Sequence, residues 1–265
     1  MQRVIWWLIL LTGVGVVAAI LWNALRPAAP PEPMPVAPPA VTAPPKAETP
    51  PEPAIRHPVP PVTLDKPLPT LERSDSSLQR DLGEFTSATG WIFQGFIRRV
   101  VATVDNLPAQ KVAQRLRPHQ GVPGPFAVSG SEGQWQIASD NAKRYEAVVK
   151  LIEAVDVDKL KAFYFKYYPL FQQAYEELGY PKQHFNDRLI AVIDHLLEAP
   201  ELKAPVALLR PKVLYLYADP EMEKRSAGQK ILMRMGAENA VRVKAKLKAI
   251  RGAVAVGVEG AGKKP

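Results

Sequence analysis

The side chains able to do chemistry in this chain are few and scattered. Four histidines, His57, His119, His184 and His195, are the bases that titrate near neutrality, and there is no cysteine. Two histidines share a metal ion from i, i+3 or i+4 positions of one helix. His184 and His195 are eleven residues apart, about 16 Å along a helix, so no metal site is expected. Zero cysteine excludes a disulfide framework, a thiolate metal site and a cysteine nucleophile. Ser226 falls near a helix start with no histidine nearby in sequence, and no Gly-x-Ser-x-Gly elbow exists. Gly121-x-x-Gly124 lacks the Lys-Ser/Thr ending of a phosphate cradle. Glu176-Glu177 and Glu221-x-Glu223 point different ways from helix surfaces and form no acid/base pair. No reaction, cofactor or metal is indicated.

Binding is better represented. Asp105-Asn106 closes an apolar helix, either as a helix stop bonding its own backbone or as a polar pair at a pocket mouth. Phe165, Tyr168 and Gln172 form a second row on a helix whose first row is already apolar. That row either docks a partner or packs on a neighbouring helix, and packing is the commoner outcome. Arg144, Tyr217, Asp219, Glu238 and Asn239 complete the candidate partner-binding set. Near the C-terminus, Ala240, Val243, Leu247 and Ile250 form one stripe, with Arg242, Lys244, Lys246, Lys248 and Arg251 over the rest. A basic amphipathic helix of this kind fits anionic lipid, an acidic partner or nucleic acid, or packs on its own domain with a solvated basic face.

The elements that must position these residues read as mainly α. Helices are expected over residues 76–84 with Asp75 as cap, 89–107, 139–155, 158–179, 185–197, 219–236 and 237–251. Pro169 lies inside the fourth and should kink it. Extended segments at 126–129 and 134–137 flank Gly130-Ser131-Glu132-Gly133 as a small hairpin, and 206–209 with 213–217 are a second extended pair. The expectation is a compact multi-helix domain with one or two short β-hairpins.

A different physics governs the first 69 residues. Residues 4–25 carry only Thr12 and Asn23 as polar side chains. At ~1.5 Å per residue they reach about 33 Å, enough to cross a hydrocarbon core of ~30 Å. Trp6, Trp7 and Trp22 lie near the two ends, where indole rings favour the interface. The reading is a transmembrane anchor over 1–26, with the N-terminus in the cytoplasm. A cleaved signal peptide is the alternative, with Val17-x-Ala19 as its small-residue site; the apolar run continuing through Ile20, Leu21 and Trp22 argues for retention. Residues 27–69 hold 17 of the 28 prolines. They read as a disordered Pro/Ala-rich spacer with little to bury. Residues 70–251 form the folded domain, and 252–265 a flexible basic tail. Charge is uneven: residues 70–223 carry 18 Lys/Arg against 20 Asp/Glu, while 224–265 carry 11 against two. The net charge of +8 therefore belongs to one segment.

Three stretches together carry a family resemblance: Val104-Asp105-Asn106-Leu107, the run from Tyr168 to Pro181, and Tyr217-Ala218-Asp219-Pro220 leading to the run from Gln229 to Asn239. Over about 71–251 the chain resembles the bacterial family known as domain of unknown function 3014. The resemblance implies a Gram-negative inner-membrane protein with an anchor, a Pro/Ala-rich linker and a periplasmic domain. It brings no activity and no catalytic residue. The expected function is a non-enzymatic envelope protein, tethered at the inner membrane, whose domain docks a periplasmic protein partner. Nucleic acid is not expected. One alternative is a cell-wall hydrolase or modifying enzyme whose cleft collects Asp105, Arg144, Tyr168, Asp219 or Glu238. The other is a binder of anionic lipid or wall polymer through Arg242, Lys244, Lys246, Lys248 and Arg251.

Overall fold

A computed structural model describes residues 54–86 and 90–255. The apolar run 4–25, the spacer as far as residue 53 and the tail beyond 255 lie outside the described residues. Among the described residues no helix is long and apolar enough to cross a membrane.

The first helix, α1 (Asp75–Gly83), buries Leu78 and Leu82. Asp75 does not cap it, contrary to expectation. Its carboxylate accepts from the backbone N–H of Gly95 (2.8 Å) and Phe96 (3.0 Å), the exposed donors at the start of α2 (Phe96–Asn106). A carboxylate seeks unpaired amide groups wherever the fold brings them, and here they belong to another helix. Helix α2 starts seven residues later than expected, because Gly95 adopts a left-handed φ of 66° and Trp91 bridges to His119.

The segment 139–155 divides into a 3₁₀ stretch, Ser139–Tyr145, and α3 (Glu146–Ala154). Asp156 then caps α4 (Val157–Glu177), accepting from Asp158 N and Lys159 N. Helix α4 runs on through Pro169 and ends where Gly179 turns with φ 117°. It buries Phe163, Tyr164, Phe165, Tyr167, Leu170, Phe171, Ala174 and Tyr175; of the second row, Phe165 is core, while Tyr168 and Gln172 are half-buried, with Tyr168 packed against the core. Helix α5 (Phe185–Leu197) lies against it.

The two hairpins join into one antiparallel sheet in the order β1 (Val128–Ser129), β2 (Trp135–Ile137), β3 (Ala207–Leu209) and β4 (Leu216–Tyr217). Register is set by Val128 opposite Ile137, Trp135 opposite Leu208, and Leu208 opposite Tyr217. A two-stranded ribbon is marginal in water, and pairing β2 with β3 gives the apolar face of four strands a shared core around Leu208, Tyr217 and Met233.

The helix expected over 219–236 is two helices, α6 (Pro220–Glu223) and α7 (Ala227–Arg234). Ser226 interrupts it by capping α7 through Gln229 N (3.2 Å). Ala227 N and Gly228 N, first-turn amides with no partner inside α7, donate to Ala109 O (2.7 Å) and Leu107 O (2.9 Å) just past α2. The last helix, α8 (Ala237–Val254), packs against α3, α4, α5 and α7. It outruns the expected end at 251: Val254 is buried, and its carbonyl accepts from Asn186 Nδ2 (3.1 Å).

Residues 54–69, read from sequence as the end of a spacer, carry no helix or strand, yet they lie on the domain. Val59 and Leu68 pack on the largest apolar cluster, and Arg56 and His57 are hydrogen-bonded to α5. Proline removes donors without removing apolar area, so a proline-rich segment can still be bound side-on.

Candidate functional site

An open groove of about 480 Å³ lies between residues 54–57 and the outer face of α5. Helical spacing places Asp187, Ala191 and Asp194 in one row on that face, with His184 at its head. The Asp187 carboxylate accepts from the backbone N–H of His57 (2.8 Å) and Arg56 (3.1 Å). The carbonyl of His57 accepts from Asn186 Nδ2 (2.9 Å). The groove thus holds a bent stretch of main chain by two successive amides and one carbonyl.

Asn186 is fully buried and joins four parts of the fold. Its amide nitrogen serves the carbonyls of His57 and Val254, and its oxygen accepts from the Tyr164 hydroxyl (3.1 Å). Burial pushes that hydroxyl far above its ordinary value, so Tyr164 stays a donor. Arg188 turns to the other side: its Nε reaches Asp105 Oδ1 and its terminal nitrogen Asp105 O, both at 2.8 Å. Arg251 of α8 pairs with Asp194. The Nδ1 of His57 is buried without a partner. Among the described residues no group of three or more His, Asp or Glu has a metal-binding arrangement.

The residues singled out from sequence are mostly consumed by the fold. Asn106 donates to Ala102 O (2.6 Å), a helix stop. Arg144 holds the carbonyls of Pro123 and Gly124 and the oxygen of Asn141. Phe165 is core, and Tyr168 donates to Gln172, whose oxygen also accepts from Phe185 N (2.8 Å). Tyr217 is buried with an unpartnered hydroxyl, which burial pushes up to about 12. Asp219 caps α6 through Glu221 N (2.8 Å). Glu238, Asn239 and Arg242 do meet, with Glu146 and Lys150, around a smaller hollow of about 290 Å³ at the start of α8. Asn239 there bonds the carbonyls of Ala142 and Met235.

The basic face of α8 is largely turned inward. Arg242 pairs with Glu153, whose carboxyl that guanidinium holds below the usual range. Lys246 donates to the carbonyls of Glu153 and Val155, Lys244 to Ala199 O, and Arg251 to Asp194. Lys248 is exposed. Lys246 satisfies carbonyls at the C-terminus of α3 and Lys244 one just past α5, while Arg242 and Arg251 pair with carboxylates.

One juxtaposition escaped the sequence. His195 Nε2 lies 2.9 Å from Ser226 Oγ, thirty-one residues on. A hydroxyl and a base at that distance are the start of a nucleophile. Here, though, Ser226 is only 5% exposed, and its Oγ already accepts from Gln229 N. The neighbouring amides, Ala227 N and Gly228 N, are spent on the carbonyls of Ala109 and Leu107, just past α2, and cannot hold an oxyanion. The pair is a capped helix start. Neither residue's local sequence signals it, because the contact depends on α5 packing against α7.

No curated protein and no solved structure is similar enough to this chain to count as a match. A family model does match, over residues 96–251, from the start of α2 almost to the end of α8, so that α5 and the Asp105–Arg188 pair fall inside it and residues 54–57 outside. That match covers more than half of the chain, which belongs to the family described as Protein of unknown function (DUF3014).

Proposed function

We propose that this chain is a non-enzymatic interaction protein of the Gram-negative envelope. Residues 4–25 hold it in the inner membrane, and its helical domain docks a protein partner in the periplasm through the groove along α5. The observation that carries the reading is the grip of α5 on a bent main-chain segment: two successive amides on the Asp187 carboxylate and one carbonyl on Asn186. A surface that already binds main chain in this manner can take a partner's peptide segment beside or in place of residues 54–57. The long apolar run with its proline-rich spacer supports the location.

A photo-crosslinking residue at Ala191, exposed in the groove, tests this in intact cells, with Ile231 on α7 as a control position. A discrete adduct at Ala191, lost in Asp187→Ala and absent at Ile231, is expected. Equal labelling at both positions removes the groove from consideration. A reporter enzyme fused after Pro265 that is active only in the cytosol overturns the location.

A further inference from the structure

The sheet presents a second, unrelated surface. Because β2 and β3 are antiparallel with Trp135 opposite Leu208, the turns at 130–134 and 210–215 emerge at the same end of the sheet. The second turn, Arg210-Pro211-Lys212-Val213-Leu214-Tyr215, carries the two most exposed large apolar side chains described, Val213 at 79% and Leu214 at 75%. Leu209 adds a third at 50%. Two adjacent aliphatic side chains held out at the summit of a turn are costly in water and have no role in the core.

Their surroundings have a definite chemistry. Tyr215 sits below the summit, edge-on to Trp135 with ring centroids 5.7 Å apart, and Arg210 lies over its ring at 5.2 Å. Among the described residues, neither Arg210 nor Lys212 enters an ion pair. Glu132 is the one carboxylate in the two turns. Aliphatic summit, aromatic collar and flanking cations match, layer for layer, the hydrocarbon, interface and anionic headgroups of a lipid leaflet.

We infer that the β3–β4 turn inserts Val213 and Leu214 into an anionic lipid leaflet, with Arg210 and Lys212 on the headgroups. The sequence reading favours this occupant over a protein. An apolar run of 22 residues holds the chain to a bilayer, and about 27 residues between it and the described domain reach roughly 80 Å when extended, so the turn meets lipid at high local concentration. The inference rests on the membrane attachment proposed above and is independent of the α5 groove. It moves lipid binding from α8, whose cations are mostly engaged within the domain, to the sheet.

The absence of native cysteine allows a clean probe. The full chain carrying Val213→Cys, labelled with an environment-sensitive fluorophore, is reconstituted into vesicles of phosphatidylcholine with or without 30% phosphatidylglycerol, each also prepared with brominated acyl chains. Expected are a blue shift and at least twofold bromine quenching in the anionic vesicles only, both lost in Arg210→Glu/Lys212→Glu. Each basic residue lost weakens the contact about fivefold. Val241→Cys, exposed on α8, reports the background and stays unquenched. Unchanged far-UV circular dichroism shows that these surface variants fold. Vesicle flotation separates the two readings: a chain that does not float defeats the anchor, whereas one that floats without quenching at Val213→Cys overturns the insertion. Shielding that rises with protein concentration and not with anionic lipid assigns the turn to a protein surface and also overturns it.

Discussion

At the scale of single residues, this protein spends its polar side chains on its own backbone and on a few half-buried carboxylates. Asp81 is the sharpest case. Its side chain is 13% exposed and accepts from Lys166 Nζ and the Tyr167 hydroxyl, both at 2.7 Å. Burial works to raise its pKa, but the bonds from Lys166, Tyr167 and Arg80 outweigh it and hold the carboxyl below its ordinary 3.8. A carboxylate lowered in the folded state contributes stability above its unfolded value, and that contribution is lost as pH falls through the folded one. Asp81→Asn is therefore expected to cost about 1–2 kcal/mol at pH 7, after allowance for the half-exposed Lys166. The gap from the parent protein should close as pH drops below 3.8, in paired urea titrations. A constant gap down to the acid transition would contradict this account. Asp81 raised no signal in the sequence, since an acid in an amphipathic helix reads as solvated until the helix it faces is known.

Elements show where periodicity informs and where it stops. The stripes of α4 and α5 are legible in sequence because burial imposes a 3.6-residue period on a long segment. The single helix expected over 219–236 failed for a local reason: a serine can restart a helix, and the amides that follow it found carbonyls just past α2. Gly228 is what lets α7 approach. A Cβ there meets Leu196 Cδ2 at 2.5 Å and the Leu107 carbonyl oxygen at 3.1 Å, and the backbone side of that contact cannot yield. Gly228→Ala is expected to lose about 1–2 kcal/mol, the overpacking cost less a small helix-propensity gain, as a lowered urea midpoint with unchanged slope. A stabilised variant would mean that α2 and α7 have room to part. The basic stripe of α8 teaches the converse. Its spacing was legible, but its partners, Glu153, the carbonyls ending α3 and Asp194 of α5, come from distant parts of the chain.

On the scale of the molecule, Asn186 joins residues 54–57, α4, α5 and the end of α8 in one buried network. Asn186→Ala leaves the Tyr164 hydroxyl and two carbonyls unpaired, for an expected loss of about 2–4 kcal/mol. Hydrogen exchange should quicken together at His57 and near Val254, and acceleration at only one of them would show that residues 54–57 and the helix end are held separately. The chain's sequence determined what local chemistry can encode: an apolar run of membrane-spanning length, a proline-rich stretch, a mainly helical domain and the family to which it belongs. The first three follow from composition and period, which need no knowledge of the rest of the chain, and the family is carried by the particular residues matched over 96–251. The groove, the Ser226–His195 cap, the inward turn of α8's cations and the shared end of the two β-turns were decided only by tertiary structure. Each depends on which helices and strands become neighbours, and that choice is made by packing over the whole core, where a residue's partner lies tens to more than a hundred positions away.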